Sequence, residues 1–240
     1  MKKIAMTVPV WGRLDLTEKF YEGMKRASKD FYRHGYDLIL YVAGSEEEHR
    51  KMAESFGAKY IHFQNKPISN KMQALMEFSM KDEWDYWMAM GSDDFFTENG
   101  VDLAVKQLKS GSDAGMPTSM YIFSIYNRNR GFEFKECGRI GAGRWYKREV
   151  LDKVKDGVIY PPDLNRILDY SSEKLIYEST GVIPISFDCG SYLADVKTNE
   201  NINSFRNVCR FRRLENHFAL SLFDYIPEFK DRSVKRLKVK

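Results

Sequence analysis

The sequence has few of the residues that build disulfide frameworks or zinc modules. Its 240 residues include three cysteines, Cys137, Cys189 and Cys209, and four histidines, with no Cys-x-x-Cys pair among them. Widely spaced cysteines in an odd number, and scattered histidines, are typical of neither architecture. This pattern disfavours a disulfide framework or a cysteine zinc site and fits a reducing compartment, so we expect a cytoplasmic protein.

Long apolar runs are also lacking. No stretch approaches the roughly 18 apolar residues that a membrane-spanning helix needs. The N-terminus has lysines ahead of an apolar run, but the run is short, is broken by Pro9 and lacks a small-residue cleavage site. It therefore predicts a buried first strand rather than a signal peptide, and we expect a soluble protein without a transmembrane segment.

Positive charge is concentrated in two places. Residues 206–240 contain ten Lys or Arg and four Asp or Glu, a net charge of +6, against +4 for the whole chain. Residues 128–148 contain seven basic and two acidic residues. Basic clusters favour a polyanionic partner or an anionic membrane surface, whereas a solvated, fraying C-terminus is the alternative for residues 230–240.

Apolar strands alternate with amphipathic helices in the first half of the chain. The predicted strands are 4–10, 36–43, 59–63 and 86–90, and the predicted helices are 14–28, 46–56 and 70–80, the last capped by Ser69 or Asn70. Strands that are apolar throughout predict a parallel sheet with helices on both faces. In the less regular second half we predict strands over 115–126 and 183–193, and helices over 145–155 and 173–178.

Adjacent carboxylates follow the fourth predicted strand. Ligands of open α/β sheets bind beyond the carboxyl ends of the strands, and Asp93 and Asp94 stand at such an end. Neighbouring carboxylates raise each other's pKa, and a divalent cation such as Mg²⁺ or Mn²⁺ removes that penalty. Capping of the following helix by Ser92 or Asp93 is the alternative, and the pair alone does not decide between them.

Six segments, in order along the chain, indicate a family. They are IAMTVPVWGR (4–13), LILYVAGSEEE (38–48), ISNKMQALMEFS (68–79), DYWMAMGSDDFF (85–96), GAGRWYKREVLDKV (141–154) and DCGSYLADVKTNENINSF (188–205). Together they resemble the GT-A glycosyltransferases, especially the family-2-like group with small viral and bacterial members. The resemblance implies an α/β, Rossmann-like fold: a mixed, mostly parallel sheet flanked by helices, in a single domain with an acceptor-side C-terminal half.

The resemblance also implies a donor site. In that family an Asp-x-Asp turn carries the metal and the diphosphate of the nucleotide-sugar, and this turn matches residues 91–94. Gly91 stands where the family has its leading Asp, which leaves open which of Asp93 and Asp94 holds the metal. The positions implied to contact the donor are Pro9, Trp11, Arg13, Glu46, Asn70, Lys71, Ser92 and Asp93. A buried tryptophan, helix caps and surface charge are the alternatives for these positions.

Inverting members of the family use an Asp or Glu of the acceptor half as general base. Asp163, Asp169 and Glu173 are candidates, and we predict Asp169, for which a helix cap is the alternative. Arg144 and Lys197 are candidate phosphate or acceptor contacts, with a solvated surface position as the alternative. His217 is a candidate further metal ligand or a structural residue.

The implied activity is transfer of a sugar from a nucleotide-sugar, UDP-linked by our prediction, to an acceptor hydroxyl with Mn²⁺ or Mg²⁺. Residues 1–112 would bind the donor and 113–205 the acceptor, followed by the basic segment 206–240. The acceptor is a saccharide or lipid-linked glycan, or hydroxymethylated DNA, and the basic stretches favour an anionic acceptor or peripheral membrane contact. The alternatives are a sugar-nucleotide nucleotidyltransferase, whose glycine-rich signature is incomplete here, and a non-catalytic nucleic-acid-binding protein.

Overall fold

The computed structural model describes residues 1–125, 130–134, 140–187, 191–198 and 220–229. The first part of the chain alternates strands and helices: β1 (Lys2–Pro9), α1 (Leu14–Arg33), β2 (Tyr36–Gly44), α2 (Glu47–Phe56), β3 (Lys59–His62), α3 (Ile68–Ser79), β4 (Tyr86–Ala89), β5 (Asp94–Phe96) and α4 (Gly100–Leu108). The later elements are β6 (Ala114–Pro117), β7 (Met120–Ser124), β8 (Arg130–Phe134), β9 (Trp145–Lys147), α5 (Arg148–Leu151), α6 (Leu168–Thr180), β10 (Ile185–Phe187), β11 (Leu193–Lys197), β12 (Leu220–Ser221) and α7 (Leu222–Tyr225).

The strands form two sheets. The larger has the order β10-β6-β9-β4-β1-β2-β3, in which β4, β1, β2 and β3 are parallel and β9 runs antiparallel to both of its neighbours. The smaller has the order β12-β8-β7-β11-β5, and its β11 pairs antiparallel with β5. Because the larger sheet takes strands from both sides of residue 112, the two halves of the chain share one sheet.

Both faces of the larger sheet are covered by helices. Successive side chains of a strand point to opposite faces. Accordingly, Ile4, Met6 and Val8 of β1 pack in one core with α1 and α4, whereas Ala5 packs in a second core with α3 and α5. The predicted fold class, a mixed, mostly parallel sheet flanked by helices, is therefore confirmed.

The strand and helix bounds of the second half differ from the predictions. Residues 145–155 do not form one helix, because Trp145 and Tyr146 are fully buried in β9 between β4 and β6, and only α5 follows. The single strands predicted over 115–126 and 183–193 are each divided between the two sheets. The first is divided after Pro117, which has no N–H to continue a ladder.

Two helices begin earlier than predicted. Helix α3 starts at Ile68, so Ser69 lies inside its first turn, where its hydroxyl accepts a hydrogen bond from the Leu164 N–H at 2.8 Å instead of capping the helix. Helix α6 starts at Leu168, which places Asp169 in its first turn.

None of the helices in the described parts of the chain has the length and apolarity needed to cross a bilayer. Cys137, Cys189, Cys209 and His217 lie outside the described residues, as do residues 206–219 and 230–240 of the basic segment.

Candidate active site

Three carboxylates meet where β4 ends and β5 pairs with β11. Asp93 follows β4, Asp94 opens β5, and Asp195 lies directly opposite Asp94 in the antiparallel register of β11. One carboxylate oxygen of each lies within 4.8 Å of the others. The Val196 N–H donates to the Asp93 carbonyl at 2.8 Å, which ties the turn to β11. The structure therefore adds Asp195 to the predicted pair.

Two cations border the carboxylates. The Arg13 guanidinium lies 3.2 Å from Oδ2 of Asp93 and donates to the Ser92 hydroxyl at 3.1 Å. The Lys197 ammonium contacts Asp195 and lies 3.9 Å from Oδ2 of Asp93. Lys197 is buried, so the solvated-surface alternative for it is wrong. The cluster thus contains three acids and two bases.

Burial and mutual repulsion shift the pKa values of the acids. Burial, and then the charges of Asp93 and Asp195, raise the pKa of Asp94 well above its ordinary value. Burial also raises the pKa of Asp195 to about 6. For Asp93 burial acts in the same direction, but Arg13 and Lys197 hold its pKa below the ordinary value. A further positive charge near Asp94 and Asp195 would relieve this repulsion.

The donor set fits a hard divalent cation. Mg²⁺ and Mn²⁺ take oxygen ligands, and three carboxylates converge here. Oδ1 of Asp195 is buried and has no hydrogen-bond partner among the described residues, so it remains available as a ligand. Asp93, Asp94 and Asp195 could together hold such an ion.

Gly91 explains the missing leading aspartate of the turn. Its N–H donates to Oδ2 of Asp94 at 2.6 Å. A Cβ at this position would lie 2.7 Å from Oδ2 of Asp94 and 2.8 Å from Oδ1 of Asp93, closer than packed atoms allow. A side chain at residue 91 would therefore displace these two carboxylates, and the third carboxylate of the cluster comes from Asp195 of β11.

A cavity of about 520 Å³ opens beside Asp93. The predicted donor residues that line it are Pro9, Trp11, Arg13, Ser92 and Asp93. Trp11 is 45% exposed at its wall, so the alternative of a buried tryptophan is wrong. The exposed indole is free to stack on a planar ring. Five positions from two separate parts of the chain, residues 9–13 and 92–93, thus share one concave surface.

Glu46, Asn70 and Lys71 are not among the described residues that line this cavity. Glu46 and Lys71 instead support its edge. Oε2 of Glu46 accepts the Gly12 N–H at 2.9 Å, and the buried Lys71 ammonium donates to the Val10 carbonyl at 2.6 Å. Both contacts fix the turn that carries Trp11 and Arg13.

His49, which the sequence analysis did not single out, completes this support. Its Nε2 lies 2.9 Å from the Gly12 carbonyl and its Nδ1 lies 2.6 Å from Oε2 of Glu46. Gly12 and Arg13 both have left-handed backbone angles, with φ of 55° and 49°. Arg13 adopts an angle that favours glycine, and the bonds to Gly12 hold it there. The only sequence signal for this role was a histidine three residues after Glu46.

Burial of Lys71 gives a pH dependence of stability. Burial lowers the pKa of Lys71 from 10.5 to about 8. Between these pH values the unfolded chain binds more protons at this site than the folded chain, so the free energy of unfolding rises with pH. Between pH 8 and pH 10 we expect the free energy of unfolding of the wild-type protein to increase by about 2 kcal/mol relative to that of Lys71→Met. Urea unfolding of both proteins across this range measures the difference, and a difference that stays constant with pH would contradict the prediction.

A second cavity, of about 460 Å³, adjoins the first at Asp93. Its polar lining includes Asp93, Asp94, Asp195, Lys197 and the predicted base Asp169, and the remainder is mostly apolar. The Asp169 carboxylate packs against Gly141, where an added Cβ would lie 1.9 Å from Oδ1. A glycine at position 141 therefore makes room for the carboxylate.

Arg144 contacts the first turn of α6 and holds it in place. Its guanidinium donates to the Asp169 carbonyl and to the Ser172 hydroxyl, each at 2.6 Å. Arg144 is only 1% exposed, so the solvated-surface alternative is wrong for it too. The residue fixes the helix turn that presents Asp169.

Comparisons with known proteins agree with this architecture. No protein-family model matches the chain, and no curated protein matches it in sequence. Among solved structures, S. aureus TarS 1-349 is similar with a TM-score of 0.58 and 13% identity, over 82% of this chain and 60% of that one. The same protein in complex with UDP gives 0.56 and 12%, over 82% and 61%.

Glucosyl-3-phosphoglycerate synthase from Mycobacterium tuberculosis, in complex with Mn²⁺, UDP and phosphoglyceric acid, gives a TM-score of 0.46 and 15% identity, over 77% and 67%. Of the TarS fragment, this chain covers 60–61% of the length, which is less than two thirds. The likeness to TarS concerns the fold, and the chain has the GT-A fold.

Proposed function

We propose that this protein is a glycosyltransferase that moves a sugar from a UDP-linked donor to an acceptor hydroxyl, with Mn²⁺ or Mg²⁺. The observation that carries the proposal is the carboxylate cluster at the junction of two cavities. One cavity offers cations and an exposed indole to a nucleoside diphosphate. The other offers a carboxylate to an acceptor. The GT-A fold supports the same assignment.

Asp93, Asp94 and Asp195 would hold the metal ion. When bound, the ion would neutralise charge on the diphosphate as it leaves. Arg13 and Lys197 would offset the rest of that charge from the protein side, because both lie beside Asp93 at the cavity wall. The exposed face of Trp11 would stack on the base.

Asp169 would act on the acceptor. Its carboxylate would take the hydroxyl proton as the acceptor oxygen forms a bond to the anomeric carbon and the bond from that carbon to the diphosphate oxygen breaks. The products are the glycosylated acceptor and UDP. Asp169 lines the cavity that adjoins Asp93, which is the placement that this role requires.

We favour an uncharged saccharide hydroxyl as the acceptor. Among the described residues that line the second cavity, Lys197 is the one cation, and it already pairs with Asp195, so no side chain there is placed to bind a phosphate group. A lipid-linked glycan or hydroxymethylated DNA, with its phosphates bound elsewhere on the protein, is the alternative. The cytoplasm remains our proposed location, on the pattern of scattered cysteines.

Thermal unfolding with Mn²⁺, with UDP, and with both tests the proposal. A ligand whose concentration is 100 times its dissociation constant stabilises the folded protein by about 2.7 kcal/mol. For a chain of this size, that stabilisation raises the melting temperature by roughly 5–10 °C. We expect that rise with the pair and a smaller one with either alone. Slow hydrolysis of UDP-sugars in a donor panel should then identify the sugar.

Three results would contradict the assignment. Absence of stabilisation by every nucleoside diphosphate would reject the donor site. Stabilisation by nucleoside triphosphates with release of pyrophosphate would identify a nucleotidyltransferase. Binding of duplex DNA with indifference to nucleotides would identify a nucleic-acid-binding protein.

A further inference from the structure

Residues 163–167, here called the strap, cross the N-terminus of α3. The Ser69 N–H donates to the Leu164 carbonyl at 3.0 Å, and the Leu164 N–H donates back to the Ser69 hydroxyl at 2.8 Å. The Asn70 amide donates to the Asp163 carboxylate at 3.1 Å and accepts the Asp163 N–H at 2.9 Å. Oδ1 of Asn165 accepts the Ile68 N–H at 3.2 Å. Five hydrogen bonds thus attach the second half of the chain to a helix of the first.

The backbone is strained at both ends of the strap. Asp163 and Ile167 have φ angles of 61° and 62°, and neither is glycine. A β-branched residue in this region is an outlier, and Ile167 is also 71% exposed, so its own packing does not hold it there. Strain of this kind persists only where surrounding contacts impose it. The hydrogen bonds with α3 are contacts of this kind at the Asp163 end of the strap.

The strap forms a wall of the first cavity, which lies beside Asp93 and is here called the donor cavity. Asn165 and Arg166 line it, facing the same space as Arg13, Lys66 and Lys197. Among the described residues that line this cavity, four are cations and one, Asp93, is an acid, and such a lining suits a ligand with several negative charges. Asp169 lies two residues after the strap, in the first turn of α6, and lines the second cavity, here called the acceptor cavity. The strap therefore lines the first cavity, and the helix turn that follows it lines the second.

We propose that the strap is a donor clasp, in which Arg166 binds the phosphates of a nucleoside diphosphate and Asn165 fixes the segment against α3. This inference depends on the proposed function, because it assigns the ligand of the same donor site. The clasp also gives the acceptor half a direct part in donor binding. Donor occupancy tightens the strap, and the strap positions the helix turn that carries Asp169.

The first test measures UDP binding by calorimetry at a fixed Mn²⁺ concentration. Charge-assisted contacts to phosphate are among the stronger hydrogen bonds, so Arg166→Ala should weaken UDP roughly tenfold or more. Arg166→Lys should recover part of the loss. Arg33→Ala is the matched control, since Arg33 is an exposed arginine at the far end of α1, paired with Asp30, and should leave the dissociation constant unchanged.

The second test reads the strap itself by amide hydrogen exchange. We expect UDP to slow exchange at the N–H groups of Ser69 and Leu164 in the wild-type protein, and to slow it less in Arg166→Ala. Asn70→Ala removes two of the five bonds and should weaken UDP by about threefold while speeding exchange at Leu164. A purely structural role for Arg166 would leave the ligand-dependent part of exchange unaltered.

The outcomes separate the two proposals. If the wild-type protein binds no nucleotide, the donor site itself is rejected and the clasp with it. If it binds UDP, but Arg166→Ala binds equally well and UDP leaves exchange at Ser69 and Leu164 unchanged, only the clasp is rejected. A loss of affinity in Arg166→Ala that Arg166→Lys restores in part supports the clasp.

Discussion

Asp93→Asn and Asp94→Asn should each lower sugar transfer by at least about a hundredfold while the protein stays folded. Each change removes charge from the proposed metal site and keeps the shape of the side chain. Because burial and neighbouring acids raise the pKa of Asp94, its neutral replacement relieves repulsion and should not lower the melting temperature. Asp93→Asn loses its ion pair with Arg13 and should be slightly less stable.

The measurement is turnover with a UDP-sugar, together with the rise in melting temperature caused by Mn²⁺. Asp102→Asn is the control, because Asp102 is an exposed acid of α4 that pairs only with His34 among the contacts described. It should retain full activity and the full Mn²⁺ effect. Full activity in both Asp93→Asn and Asp94→Asn, with metal present, would end the proposed mechanism.

Asp169→Asn should lower the rate of transfer to the acceptor by about 10²–10⁴-fold and leave the dissociation constant of UDP nearly unchanged. The expectation follows from its position, since Asp169 lines the second cavity and not the described wall of the first. An equal loss of UDP affinity would assign Asp169 to the donor site or to a structural role.

Gly141→Ala tests the same residue without altering it. A Cβ at residue 141 would lie 1.9 Å from Oδ1 of Asp169, so the carboxylate must move. We expect a large loss of turnover with little change in UDP binding. Gly111→Ala is a control for the substitution type, because no atom lies within 4 Å of a Cβ there, although its positive φ adds strain. Unchanged turnover in Gly141→Ala would show that the position of Asp169 does not matter.

The two substitutions together separate chemistry from position. If Asp169 is the base, Asp169→Asn removes proton transfer at an unchanged position, whereas Gly141→Ala retains the carboxylate and misplaces it. A loss of turnover in both variants, with UDP binding retained in both, would support a role for the Asp169 carboxylate at that position.

The first half of the fold follows from its sequence because its signals are local. The buried parts of strands β1, β2 and β4 are almost entirely apolar, and the helices between them carry one apolar face. Each of these elements can therefore be predicted from its own residues, and the layered arrangement follows. The carboxylates Asp93 and Asp94 stand at a strand end, where such sheets bind their ligands. In the second half that logic fails, because short strands such as β9 acquire their structure from neighbours in the sheet.

The site divides in the same way. The sequence by itself determined the fold class and the Asp93–Asp94 turn, since both depend on residues adjacent in the chain. Tertiary structure alone decided the rest. Asp195 joins the cluster through strand register, Lys71 and His49 hold the turn of Arg13 through buried contacts, and Arg166 reaches the donor cavity through the strap. The signal for Asp195 was two charged residues, at positions 195 and 197, in a strand that is otherwise apolar. Which groups those charges meet depends on long-range pairing, and no local pattern encodes it.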